Sequence, residues 1–257
     1  MTMAEISQLI WYVALVVYAL LAWRIFRARL PYRALMIYAM AGLIRGPVLL
    51  MFPLRSLGYA RAWLLTEPIM MALEVWLVLE ILRLLKASYP GIGKYGSRAV
   101  ALCCLLALTL STTSVLVDLN VIEWGRMIAQ TLFLLKRITA TILALTLLTV
   151  QCFLARLGDR GLTANLRRHS RIATACFSIF GVGYFLADTG RFPLAYVSAL
   201  IGSTNLACHV LWLVLLTTAG EARPVLATTG EDIESAFAAM EQQAQVAADY
   251  VAAVTPN

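Results

Sequence analysis

Long runs of apolar residues separated by short polar stretches set the pattern of this chain. A helix that crosses a bilayer needs roughly 20 mostly apolar residues. Seven segments approach or exceed that length: 6–23, 34–52, 63–85, 99–117, 127–155, 172–187 and 192–219. The second holds Arg45, the third Glu67, Glu74 and Glu80, and the fifth Lys136 and Arg137, whereas the seventh has no formal charge. Barrel strands would alternate apolar with polar positions, and these runs are continuous. The pattern therefore predicts an all-α fold, a polytopic bundle of seven transmembrane helices.

Composition agrees. Of 257 residues, 61% are hydrophobic and 14% charged, against about 25% charged in an ordinary soluble domain. The mean hydropathy is +0.80. These values exclude a soluble enzyme, a disordered chain and a nucleic-acid-binding domain. A net charge of +7 does not bring nucleic acid back, because the basic residues cluster between the apolar runs. Arg24, Arg27, Arg29 and Arg33 follow the first run; Arg83, Lys86, Lys94 and Arg98 follow the third; Arg156, Arg160, Arg167, Arg168 and Arg171 follow the fifth. The alternate loops are poorer in base: Arg55 and Arg61; Asp118, Glu123 and Arg126; Asp188 and Arg191. The positive-inside rule then puts the N-terminus outside and the C-terminus in the cytoplasm. The first run has no basic segment before it, so it reads as a span and not as a cleaved signal. Cys103, Cys104, Cys152, Cys176 and Cys208 all fall inside runs and read as small packing residues.

Residues 1–220 form the expected membrane domain, and 221–257 an acidic cytoplasmic tail. Thr229 is placed to cap a short helix over 231–254, with Ile233, Phe237, Met240, Ala244 and Val251 at helical spacing.

Ionisable residues inside a bilayer are costly and point to function unless they pair for packing. Counted from Pro68 as the first helical turn, Glu74 sits at the depth of Arg45 on the antiparallel neighbour. The two are expected to pair, either as a structural ion pair or as a gate that opens for a ligand or ion. Glu67, seven residues earlier, shares the face of Glu74. Glu80 has Arg83 at i+3 as a local partner. Lys136 either snorkels to the outer boundary or points inward and needs Glu67 or Glu74. Ser198, Gly202, Asn205 and His209 line one face of the seventh run, and Thr174, Ser178 and Gly181 one face of the sixth. Such stripes serve helix packing, or Asn205 and His209 floor an inner polar pocket. The candidate binding residues are thus Arg45, Glu67, Glu74, Lys136, Asn205 and His209.

Cofactor chemistry finds little support. A retinal Schiff base of the rhodopsin kind needs a lysine in the last span, which has none. Haem with paired axial histidines has only His169 and His209 to draw on, and His169 falls in a basic loop. No nucleophile elbow, zinc-protease helix or phosphate loop is present. No cofactor, no metal and no catalytic residue is expected.

The basic turn Arg27-Ala-Arg-Leu-Pro-Tyr-Arg33, the Trp63-Leu-Leu-Thr-Glu-Pro68 segment and the seven-run spacing resemble a group of uncharacterised bacterial seven-helix inner-membrane proteins. The resemblance implies a bacterial cytoplasmic membrane and brings no activity with it. The expectation is a non-enzymatic binding or sensory module. Its partners would be the bilayer, a small ligand at the outer polar cluster, and a cytoplasmic or membrane protein facing the basic loops and acidic tail. A small-solute or proton-coupled transporter and a structural subunit of a membrane complex are the alternatives.

Overall fold

The computed structural model describes residues 3–53, 56–88, 124–157, 162–188 and 194–222. These residues form six α-helices and no strand: α1 (Met3–Arg27), α2 (Arg33–Leu50), α3 (Leu57–Ser88), α4 (Trp124–Leu157), α5 (Ala164–Asp188) and α6 (Leu194–Leu215). A single 3-10 turn, Ala219–Glu221, follows. Five helices, α1, α2, α4, α5 and α6, are long and apolar enough to cross a membrane. The apolar run 99–117, Cys103, Cys104 and the tail with its Thr229 cap lie outside the described residues.

The helices enclose an apolar core, yet they also expose many large apolar side chains and bury several charged ones. Leu65 on α3 is 76% exposed while Glu67, two residues on, is 0% exposed. Val16, Phe26, Ile44, Val182, Phe185 and Val214 also face outward. Lipid tails leave such side chains without penalty, whereas carboxylates must turn inward to find partners.

The helices close into a ring in chain order, with α6 returning to α1. Two ends can be told apart. Gln8, Met51 and Tyr59 meet at one, the Met51 end; Tyr32, His169 and Trp212 meet towards the other, the Tyr32 end. The pairing α1–α2 depends on two glycines. A Cβ on Gly42 would sit 2.7 Å from a Tyr18 ring carbon, and one on Gly46 2.5 Å from a Leu15 methyl. Only glycine lets α2 approach α1 so closely. Between α4 and α5, Gln151 donates to the Ser170 hydroxyl at 2.7 Å. Asn205 of α6 donates to the Tyr18 hydroxyl at 2.7 Å and closes the ring.

Local chemistry sets the helix ends. Arg29 takes φ 50°, so the Leu30 N–H reaches back to the Ile25 carbonyl at 3.1 Å and ends α1 in a Schellman turn. Thr163 caps α5, its hydroxyl accepting the Leu166 N–H at 3.2 Å. That cap starts α5 eight residues before the apolar run at 172. Arg167, Arg168, Arg171 and His169 therefore stand on a helix and not in a loop, and His169 is fully buried. Likewise α3 begins at Leu57, not near Pro68, which sits inside the helix.

Candidate functional site

The charged centre of the bundle is Glu67, not the expected Arg45–Glu74 pair. Its carboxylate is fully buried and forms ion pairs with Arg45 of α2 and Lys136 of α4. The register explains the change: with α3 extended to Leu57, Glu67 comes level with Arg45, and Glu74 lies two turns deeper. Lys136 does not snorkel. It points inward, and its ammonium also lies 5.3 Å from the centre of the Tyr184 ring on α5, a cation–π distance. The Arg45 and Lys136 side chains each keep 11% exposure while Glu67 keeps none. The carboxylate is thus the most deeply buried of the three charges.

At the Met51 end a cleft of about 260 Å³ is lined by Gln8, Trp11, Leu49, Leu50, Met51, Phe52, Pro53 and Tyr59. Tyr59 is close enough to Arg45 to feel its charge. Towards the other end, Glu74 is buried with the Tyr38 hydroxyl facing it as a donor. Tyr38 stacks on His209 with centroids 5.6 Å apart. Tyr18 meets the same imidazole edge-on at 4.6 Å.

Asn205 and His209 do come together on α6. The His209 Nδ1 lies 2.7 Å from the Asn205 carbonyl oxygen, which makes that nitrogen the donor. Of the stripe that begins at Ser198, Ser198 is exposed and Gly202 half-buried; the polar character moves inside only from Asn205 onward. On α5, Thr174 is buried beside Gln151, and Gly181 packs against the Thr141 backbone of α4.

Several contributors escape the hydrophobic pattern. Glu80 does not serve as the local partner of Arg83. Its two carboxylate oxygens accept the Ala34 N–H at 3.0 and 3.1 Å and so cap α2 from the neighbouring helix. Tyr32 precedes α2 without a side-chain cap, so the orphan N–H groups there draw a distant anion. Asn165, fully buried, ties α5 to the segment after α6. It donates to the Thr217 carbonyl at 2.6 Å and to Glu221 at 2.7 Å, and accepts the Thr217 N–H at 3.1 Å. Burial first, and the Glu221 carboxylate second, push the Tyr32 phenol above its ordinary value. The signal for Tyr18 and Tyr38 is faint. Aromatic residues in an apolar run read as lipid-facing or core until their neighbours are known.

No family model, curated protein or solved structure matches this chain. Among the described residues no cluster of three or more metal-ligating side chains occurs. What the arrangement does hold is one carboxylate bridging two cations from two other helices.

Proposed function

We propose that the chain is a seven-helix protein of a bacterial cytoplasmic membrane, N-terminus outside and C-terminus inside. In that membrane it acts as a non-enzymatic binding or sensory module centred on Arg45, Glu67 and Lys136. The observation that carries this reading is the convergence of α2, α3 and α4 on the single carboxylate of Glu67. Anything that draws Arg45 or Lys136 away, or neutralises Glu67, loosens two helix contacts at once. A ligand with different affinity for the tied and untied states shifts their populations.

The span count is part of the proposal and rests on helix direction. α3 runs from the Met51 end to the Tyr32 end, and α4 starts again at the Met51 end, since Lys136 meets Glu67 and Gln151 meets Ser170. We assign the apolar run 99–117, outside the described residues, to one more crossing between them. Orientation follows from charge. Arg24, Arg27, Arg29, Arg33, Arg83 and Lys86 stand at the Tyr32 end, which is the cytoplasmic end by the positive-inside rule.

The test is native mass spectrometry of the protein extracted in mild detergent. Wild type should carry a small molecule or a partner that Glu67→Gln and Arg45→Met both lose while remaining folded. Identical bare spectra for all three proteins would reject the reading.

A further inference from the structure

Along α6 lies a column of buried polar atoms that the charge cluster does not use. Asn205 Oδ1, His209 Nε2, Trp212 Nε1 and both ring nitrogens of His169 have no hydrogen-bond partner among the described residues, and the Tyr32 hydroxyl at the end of the column meets Glu221 and Thr163. His209, Trp212, His169 and Tyr32 are each exposed by 1% or less. Folded proteins pair about 90% or more of such groups, so this many in one file require a shared explanation.

They form a file because their residues touch in sequence. Asn205, His209 and Trp212 are spaced i, i+4 and i+7 on one face of α6. The His209 and Trp212 ring centroids are 5.1 Å apart, Trp212 and His169 5.6 Å, and His169 and Tyr32 4.8 Å. The atoms also complement one another through water. Trp212 offers a donor. Asn205 Oδ1 is an acceptor, and His209 Nε2 is the lone-pair nitrogen because Nδ1 donates to the Asn205 carbonyl. His169 offers one of each in its neutral form. Buried water typically makes about three hydrogen bonds to groups of this kind.

Both ends of the file meet titratable groups. At the top, Tyr38 of α2 stacks on His209 and faces Glu74 of α3; Tyr18 of α1 packs edge-on; Cys176 of α5 and Arg45 lie near both tyrosines. At the bottom, Tyr32 lies beside Glu221, with Glu80 of α3 also near.

We propose that a file of bound water molecules runs along α6 from Asn205 to His169 and carries protons between Glu74 and the Tyr32 end of the bundle. The proton moves as an excess charge from one water to the next. His209 and His169 take it on a ring lone pair and return it to the following water. Only O–H and N–H bonds exchange, so no other reactant is needed. The proposal goes beyond the binding reading and does not depend on it.

Two measurements on the full-length protein decide the matter. In liposomes enclosing a pH-sensitive dye, with a potassium diffusion potential set by valinomycin, wild type should pass protons faster than empty vesicles. His209→Phe and His169→Phe should slow that flux several-fold, and lipid-facing Trp76→Phe should not. Hydroxyl-radical footprinting with X-ray pulses reads bound water directly in unmutated protein, independent of whether a variant folds. Trp212 and His209 should be oxidised readily despite burial, and equally buried Phe180 should not. Labelling of Trp212 no greater than that of Phe180 would mean a dry column and overturn the proposal. Labelled residues without flux above empty vesicles would overturn its proton-carrying part.

Discussion

A carboxylate between two cations is the point where single substitutions act most strongly. Glu67→Gln leaves Arg45 and Lys136 facing each other without an anion in a low-dielectric interior. Breaking a buried pair in this way costs about 3–5 kcal/mol. Lys136→Met removes one cation and leaves Glu67 bound to Arg45, so it should cost clearly less. Thermal unfolding in detergent should rank wild type above Lys136→Met above Glu67→Gln, and a reversed order of the two variants would show that Glu67 is not the hub. Gly42 gives a second residue-scale prediction. Its missing Cβ would lie 2.7 Å from the Tyr18 ring, so Gly42→Ala should destabilise by about 1–3 kcal/mol, as overpacking does. Gly202 has its nearest neighbour 3.8 Å away, and Gly202→Ala should be neutral or gain up to about 1 kcal/mol of helix propensity. The same melting curves check both. The ionisable residues themselves were legible in the sequence, because a charge in an apolar run is conspicuous. Their pairing was not. A helix start misplaced from Leu57 to Pro68 selects Glu74 instead of Glu67, seven residues and about 10 Å away at 1.5 Å per residue.

At the scale of elements, the helices were legible as apolar runs, but their ends were not, because the ends are made by contacts remote in sequence. Glu80 is the clearest case. Sequence spacing offers Arg83 as its partner, yet the carboxylate reaches 46 positions away to cap α2 at Ala34. Glu80→Gln should therefore weaken α2 by up to about 2 kcal/mol, the range for a partly buried charge at a helix terminus. Arg83→Ala should stay within about 0.5 kcal/mol, as an exposed site does. Equal losses for the two in chemical denaturation would restore the local pair. The clamp at the end of α6 behaves in the same way. A Cβ on Gly220 would stand 2.1 Å from Asn165 Oδ1. Gly220→Ala must therefore displace a side chain that makes three hydrogen bonds to the turn after α6. Limited proteolysis should then cut near Thr217 much faster than in wild type, while the α1–α2 pair stays intact. Unchanged cleavage would mean that the clamp does not hold the turn.

The whole molecule is a ring of helices with an apolar core, apolar side chains on its outside and a few charges within, an arrangement that suits a surrounding lipid phase. Which way it sits in the membrane depends on basic residues near the helix ends. Arg24, Arg27, Arg29 and Arg33 flank the first turn, and Arg83 and Lys86 close α3, all at the Tyr32 end. Arg167, Arg168 and Arg171 add to them on the first turns of α5. At the Met51 end Arg61 is the basic residue nearest the start of α3 among those described. Arg126 stands in the first turn of α4 at the Met51 end, and the proposed orientation places the more basic Tyr32 end in the cytoplasm. A reporter active only in the cytoplasm should accordingly be active when fused after Ala222, close to Glu221 and Tyr32. The same reporter inserted between Phe52 and Pro53 should be inactive, and an exported reporter should show the opposite pattern. From Phe52 to Ala222 the chain passes through α3, α4, α5 and α6, so opposite sides require one further crossing between α3 and α4. Finding both positions on one side would remove that crossing and with it the seven-span reading. Finding the two sides exchanged would leave the span count standing and reverse the orientation. Glu67 and its two cations would then lie in the half of the bundle nearer the cytoplasm.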